Sequence, residues 1–177
     1  MKKILPFALL YILVSSFGIP ESNAFVKKLH TAYMAQVRAE AGKTFASTMQ
    51  KNEGSCLVIN DPVFDEVKEK GNTWTFKPKN PTQNKYAVCI SFIEKDNAKD
   101  IMKKIKTAIG KGTSSLVKTP LLVFRKDKII YTVTYSCDLK DGAVEKLIID
   151  ELKKEIDLEK SNDFVVVKCG GGVEVKS

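Results

Sequence analysis

The stretch from Lys85 to Glu94 reads KYAVCISFIE, and both of its alternating sets are apolar or small: Tyr86, Val88, Ile90 and Phe92 on one side, Ala87, Cys89, Ser91 and Ile93 on the other. A strand with two such faces belongs in the middle of a sheet that is covered on both sides. The rest of the chain must therefore supply neighbouring strands and helices to cover them. Pro120 to Phe124 (PLLVF) and Ile129 to Cys137 (IIYTVTYSC) read as a hairpin over the charged turn Arg125 to Lys128, although the glycine usual in a tight hairpin is missing. Ser55 to Asn60 (SCLVIN), Thr73 to Lys77 (TWTFK) and Asp163 to Cys169 read as further strands, the last followed by a Gly170-Gly171-Gly172 hinge and Val173 to Val175.

Three helices accompany these strands. From Phe25 to about Gln50, Val26, Leu29, Tyr33, Val37 and Ala41 recur at three- and four-residue steps; Phe45 and Met49 continue the stripe, and Asn52-Glu53-Gly54 ends it. A second helix, capped by Asp96 or Asn97, turns Ile101, Met102, Ile105 and Ile109 inward. A third, starting at Asp141, groups Val144, Leu147, Ile148, Leu152 and Ile156. Val63 to Lys70 has room for one or two helical turns, and a polar loop with Pro78, Pro81 and Asn84 precedes the central strand. The order α, β, β, β, α, β, β, α, β predicts an α+β domain: a single mostly antiparallel or mixed sheet, with an N-terminal helix and two further helices packed on it.

The N-terminus has the three-part build of an export signal. Lys2 and Lys3 form the positive region, Ile4 to Phe17 the apolar run, and Ser22-Asn23-Ala24 a small-x-small cleavage site. Residues 1–24 are thus expected to be a cleavable signal peptide and 25–177 a single α+β domain, with its helix over 25–52 and its sheet-containing body over 53–177. The apolar run is shorter than the roughly 20 residues a bilayer span needs, and no transmembrane segment is expected in the mature chain. The first cysteine is Cys56, far from where a lipoprotein would carry its acylated residue. The expected location is the periplasm or the extracellular medium.

Cys56, Cys89, Cys137 and Cys169 all lie in the exported part, and an even count in an oxidising compartment predicts two disulfides. Three connectivities exist. Cys56 with Cys89 and Cys137 with Cys169 is favoured, because each would join neighbouring strands. None of the spacings is C-x-x-C, so neither a dithiol redox motif nor a zinc-ligand pair is present.

Removing Lys2, Lys3 and Glu21 leaves 27 basic and 20 acidic residues, a mature charge of +7. All the basic residues except Arg38 and Arg125 are lysines, scattered among carboxylates. Arginine is the residue suited to bidentate phosphate and base-edge contacts, so specific nucleic-acid binding is disfavoured and a weak attraction to anionic surfaces is expected.

His30 is the chain's one histidine, so a serine or cysteine nucleophile could be served by no other imidazole, and no G-x-S-x-G elbow is present. Gly110-Lys111-Gly112-Thr113-Ser114-Ser115 lacks the spacing of a phosphate loop and follows a helix instead of opening one. Carboxylate pairs such as Asp65-Glu66 and Glu155-Asp157 read as solvated charges, and Asp150 with Lys154 has the i,i+4 spacing of a supporting pair. Trp74 beside Phe76 alternates with threonines as a strand does, which favours burial over ligand stacking. No catalytic, metal-binding or cofactor motif emerges.

Lys118-Thr119-Pro120, the strand Leu121 to Phe124, the charged turn, Ile129 to Val133 and the helix beyond resemble the closing β-β-α of thioredoxin-like proteins, in which a cis proline opens the first of those strands. The resemblance covers some 35 residues. It implies a redox-inactive relative used for binding or assembly, since the upstream C-x-x-C half has no counterpart.

The sequence points to an exported, disulfide-stapled protein that binds another envelope or secreted protein without chemistry of its own; an exported enzyme with an unrecognised site is the competing class. The candidate interface is the apolar stripe of the first helix, Leu29, Tyr33 and Val37, if that helix projects from the domain, together with Trp74.

Overall fold

The structure, a computed structural model, describes residues 19–57, 62–68, 72–111, 120–137, 143–155, 163–170 and 172–176. Helix α1 spans Ile19–Ala41, followed by strand β1 (Ser47–Asn52), a 3-10 turn at Pro62–Phe64 running into the one-turn helix α2 (Asp65–Lys68), and strand β2 (Asn72–Pro78). A second 3-10 segment (Pro81–Tyr86) leads to β3 (Val88–Glu94), helix α3 (Ala98–Gly110), the hairpin β4 (Leu121–Lys126) and β5 (Ile129–Tyr135), helix α4 (Ala143–Glu155), and the strands β6 (Phe164–Val167) and β7 (Val173–Lys176). The seven strands form one sheet in the order β1-β2-β3-β5-β4-β6-β7, antiparallel at every pairing. The fold is α+β, as the element order predicts.

The doubly apolar segment is β3, an interior strand between β2 and β5. Its Val88, Ile90 and Phe92 join a core that includes Val26, Leu29, Tyr33 and Val37 of α1 and Ile148 of α4. The opposite face of the sheet packs Leu121, Val123, Ile130 and Val165 against Ile101, Met102, Ile105 and Ile109 of α3, with Leu57, Phe64 and Val67 at its margin. Helices therefore cover both faces: α1 and α4 on one, α3 on the other.

The first helix begins earlier and ends earlier than its periodicity suggests: it starts at Ile19, so it runs through Ser22-Asn23-Ala24, the expected cleavage site. It stops at Ala41, where Gly42 takes a φ of 100° and donates its N–H to the carbonyl of Arg38 at 3.1 Å. Glycine adopts this left-handed conformation without steric cost, which suits it to follow a helix. Phe45 still reaches the core, 1 % exposed, but from the connecting loop, and Met49 lies in β1. A four-residue step keeps side chains on one face of a helix and, being even, also on one face of a strand. The apolar stripe alone could not separate the two.

Two other segments differ from expectation. Ser55 to Leu57 is not a strand; Leu57 is buried in the α3-side core, and Val58 to Asn60 lie outside the described residues. The polar loop before β3 is the 3-10 segment, capped by the Asn80 carboxamide oxygen, which accepts from the N–H of Thr82 at 3.1 Å. The β4–β5 turn needs no glycine because Asp127 adopts a φ of 53°, a conformation that Asp tolerates better than most residues. Asp141, Ile156, Thr119 and Gly112 to Ser115 fall outside the described residues, as does the chain before Ile19.

Both disulfides have the favoured connectivity, Cys56–Cys89 and Cys137–Cys169, each with a Cα separation of 5.6 Å. The geometry behind them differs from the one expected. Cys56 lies beyond the end of β1 and reaches over β2 to β3, while Cys137 and Cys169 follow β5 and β6, which flank β4. Each bridge thus spans an intervening strand instead of joining two neighbours.

Candidate functional site

Helix α1 and edge strand β1 meet along a seam that gathers several of the chain's more reactive side chains. His30 and Met34 stand one helical turn apart on α1, at the i,i+4 spacing that places two side chains on one face. Opposite them, Ser47 opens β1. The His30 Nε2 lies 2.8 Å from the Ser47 hydroxyl oxygen, and that hydroxyl donates to the Met34 Sδ at 2.9 Å. The imidazole is half-buried between Phe76, at 4.8 Å between ring centroids, and Tyr33, at 6.0 Å. Burial holds its pKa below the usual histidine value, which favours the neutral ring. Met49, two residues beyond Ser47 on the same strand face, pairs in register with Phe76 and packs on the same core.

A serine beside a neutral imidazole invites comparison with a hydrolytic pair. Such a pair needs a group on the far ring nitrogen to fix the tautomer, and among the described residues no carboxylate is hydrogen-bonded to His30. The hydroxyl has one proton. While it is donated to the Met34 sulfur, the imidazole must be the donor to Ser47, which is the wrong direction for a general base.

A second feature lies at the C-terminal end of α1. Arg38 donates from Nε to the Phe45 carbonyl at 3.0 Å, and the Lys79 N–H donates to the Ala46 carbonyl at 2.9 Å. Phe45 meets Tyr86 edge-on at 5.6 Å, and the Lys85 ammonium sits 5.2 Å from the Tyr86 ring centroid. These contacts bring Arg38, Lys43, Lys79 and Lys85, all exposed, to one end of the sheet. Among the described residues Lys43, Lys79 and Lys85 form no ion pair. Lysines elsewhere are paired: Lys104 with Glu66 at 2.8 Å and Lys128 with Asp96 at 2.7 Å, each pair lowering the carboxylate's pKa and raising that of the lysine chiefly through its hydrogen bond.

The residues singled out from sequence divide sharply. Leu29, Tyr33 and Val37 are each 1 % exposed. The helix packs on the sheet, so its apolar stripe is core and is closed to a partner. Tyr33 also donates its hydroxyl to the Tyr86 carbonyl at 2.5 Å, and burial raises its pKa. Trp74 is half-buried against the same core, its indole Nε1 buried and without a hydrogen-bond partner among the described residues. Lys154 pairs with Glu151 at 2.5 Å, one residue from the expected Asp150. Asp65 pairs with Lys68 at 3.0 Å and Glu66 with Lys104, so neither carboxylate stands unpartnered.

No protein family, curated protein or solved structure matches the chain. Among the described residues there is no cluster of three or more His, Cys, Asp or Glu side chains suited to a metal, and no helix is long and apolar enough to cross a membrane. The His30–Met34 spacing is legible in the sequence; the arrival of Ser47 and Met49 beside it is not, because it depends on the break at Gly42.

Proposed function

We propose that the protein is exported and acts by binding another envelope or secreted protein, using the basic end of its sheet as the contact surface. The observation that carries this reading is the group of four exposed cations, Arg38, Lys43, Lys79 and Lys85, at one end of a domain whose other lysines include several paired with carboxylates. Unpaired charge of one sign raises the rate of encounter with an oppositely charged surface and disfavours wrong partners. The signal-like N-terminus and the cross-strand disulfides support work in an oxidising compartment. Phe25, the first residue after the expected cleavage point, is buried edge-on against Tyr131 at 5.7 Å, so a chain processed there keeps this core contact.

Affinity capture from the exporting cell, with residues 25–177 as bait at two salt concentrations, tests this. One protein partner should be captured at low salt and weaken as salt rises, because exposed charges are screened. Capture should be lost with Lys43→Glu, Lys79→Glu and Lys85→Glu combined, but kept with Lys99→Glu and Lys103→Glu on α3. Recovery of nothing, or of acidic polymers without any protein, would overturn the reading.

A further inference from the structure

The α1–β1 seam has a chemistry that the binding function does not use. Sulfur and nitrogen donors are scarce in this chain: one histidine, four methionines, and four cysteines that are all consumed in disulfides. Of the methionines, Met102 is fully buried beneath α3 on the far face of the sheet. Met34 and Met49 lie at the seam, together with the one histidine. The His30 Nε2 and the Met34 Sδ both point at a single atom, the Ser47 oxygen, from 2.8 and 2.9 Å. Met49 follows on the same face of β1 and pairs with Phe76, the ring that His30 also touches.

We propose that this seam is a site for a soft monovalent cation of the copper(I) or silver(I) class, ligated by His30 Nε2 and the Met34 thioether, with Met49 as third donor. Imidazole and thioether are ligands that favour soft metals, whereas calcium and magnesium want several oxygens, chiefly carboxylate. No carboxylate contacts His30, Met34 or Ser47 among the described residues. A cation of single charge suits a seam that offers only neutral donors. Ser47 is the placeholder: rotating its hydroxyl away gives up the weak bond to the thioether and the bond from the imidazole, whose proton moves to Nδ1, so that the Nε2 lone pair and the Met34 sulfur face the same space. Methionine's unbranched, flexible chain suits Met49, on the same strand face as Ser47, to the third position.

The test is a titration of the folded protein with silver nitrate in chloride-free buffer, followed by NMR of the methionine methyl groups and the His30 ring. Silver avoids the reductant that copper(I) requires. One equivalent should shift the Met34, Met49 and His30 signals and leave Met102 unmoved. Met34→Leu conserves volume and should keep the fold, yet lower the affinity at least tenfold; His30→Gln should do the same, and Ser47→Ala should bind at least as tightly as the parent. The proposal fails if one equivalent produces no shift at the seam, or if Met34→Leu and His30→Gln bind silver as the parent does.

Discussion

The two faces of the sheet are built from different materials. Beneath α1 and α4 the core is dominated by rings: Phe25, Phe76, Phe92, Phe124, Tyr131 and Phe164 among them, several in edge-to-face or stacked contact. Beneath α3 the core is almost wholly aliphatic, with Phe64 its one buried ring among the described residues. Toward β2 that second face turns polar, as Thr73, Ser91 and Thr132 sit side by side in register, all buried, with a hydrogen bond between the last two. The aromatic face concentrates its burial in a few large side chains whose orientations depend on one another, so each should be costly to lose. The aliphatic face spreads the same task over many smaller groups, and each should cost less.

Truncation at matched burial is the strongest way to break this contrast. Phe124→Ala, 1 % exposed in the parent, should lower stability by about 3–5 kcal/mol, whereas Ile105→Ala, equally buried on the other face, should fall toward the lower end of the roughly 2–5 kcal/mol usual for an aliphatic truncation. Denaturant unfolding of the two variants checks this, and equal losses would mean that the aromatic face is not the more concentrated one.

The disulfides sharpen the comparison because they differ in setting while closing almost the same length of chain, with separations of 33 and 32 residues. Cys56 is buried, 9 % exposed, beside the α3-side core; Cys137 and Cys169 are both exposed. In the chain-entropy view each bridge restricts the unfolded state alike and contributes roughly 3–4 kcal/mol. Paired serine replacements at each bridge should therefore give equal losses; a clearly larger loss for Cys56 with Cys89 would show that packing, and not loop closure, sets its contribution.

Smaller effects separate the polar atoms of the aromatic face. Tyr33→Phe removes the donor to the Tyr86 carbonyl and leaves that buried acceptor unsatisfied, at a cost of about 1–3 kcal/mol. The parent has a further signature. Burial raises the Tyr33 pKa in the folded state, so the protonated phenol favours folding, and this contribution is fully present below the ordinary tyrosine value near 10.0 and lost as pH rises above it. Stability measured across that range should fall less steeply in Tyr33→Phe.

His30 gives the smallest effect, with the opposite sign. Its folded-state pKa lies below 6.5, so neutral imidazole favours folding: the contribution is present above that value and fades as pH falls below it. His30→Gln should flatten the acid side of the stability profile. An unchanged acid limb would mean that the ring is no less ready to protonate in the folded seam than in the unfolded chain.

How much of this was legible in the sequence depends on whether local pattern or distant contact decides the outcome. The interior strand β3, the helix α3 with its four inward residues, and the β4–β5 hairpin are local: their periodicity permits one reading, because an alternating run cannot be laid on a helix without exposing half of its apolar groups. The end of α1 was hidden because Ala41, Phe45 and Met49 step by four residues, a spacing that a helix and a strand both satisfy, and one glycine decided between them. The seam was hidden for the same reason. Ser47 comes to His30, and Met49 to Phe76, only because the chain reverses at Gly42 and lays β1 along the sheet edge.

By itself the sequence determined that this chain forms a single α+β sheet covered on both faces, with four cysteines available for two bridges, since burial of a doubly apolar strand and the parity of the cysteines are properties of local order and composition. Only the tertiary structure decided that the first helix lies down on the sheet, that each disulfide spans an intervening strand, and that Ser47 arrives beside His30 and Met34. Those outcomes depend on which distant surfaces are complementary, and the pattern of apolar residues along a chain records that a face must be buried without recording what will bury it.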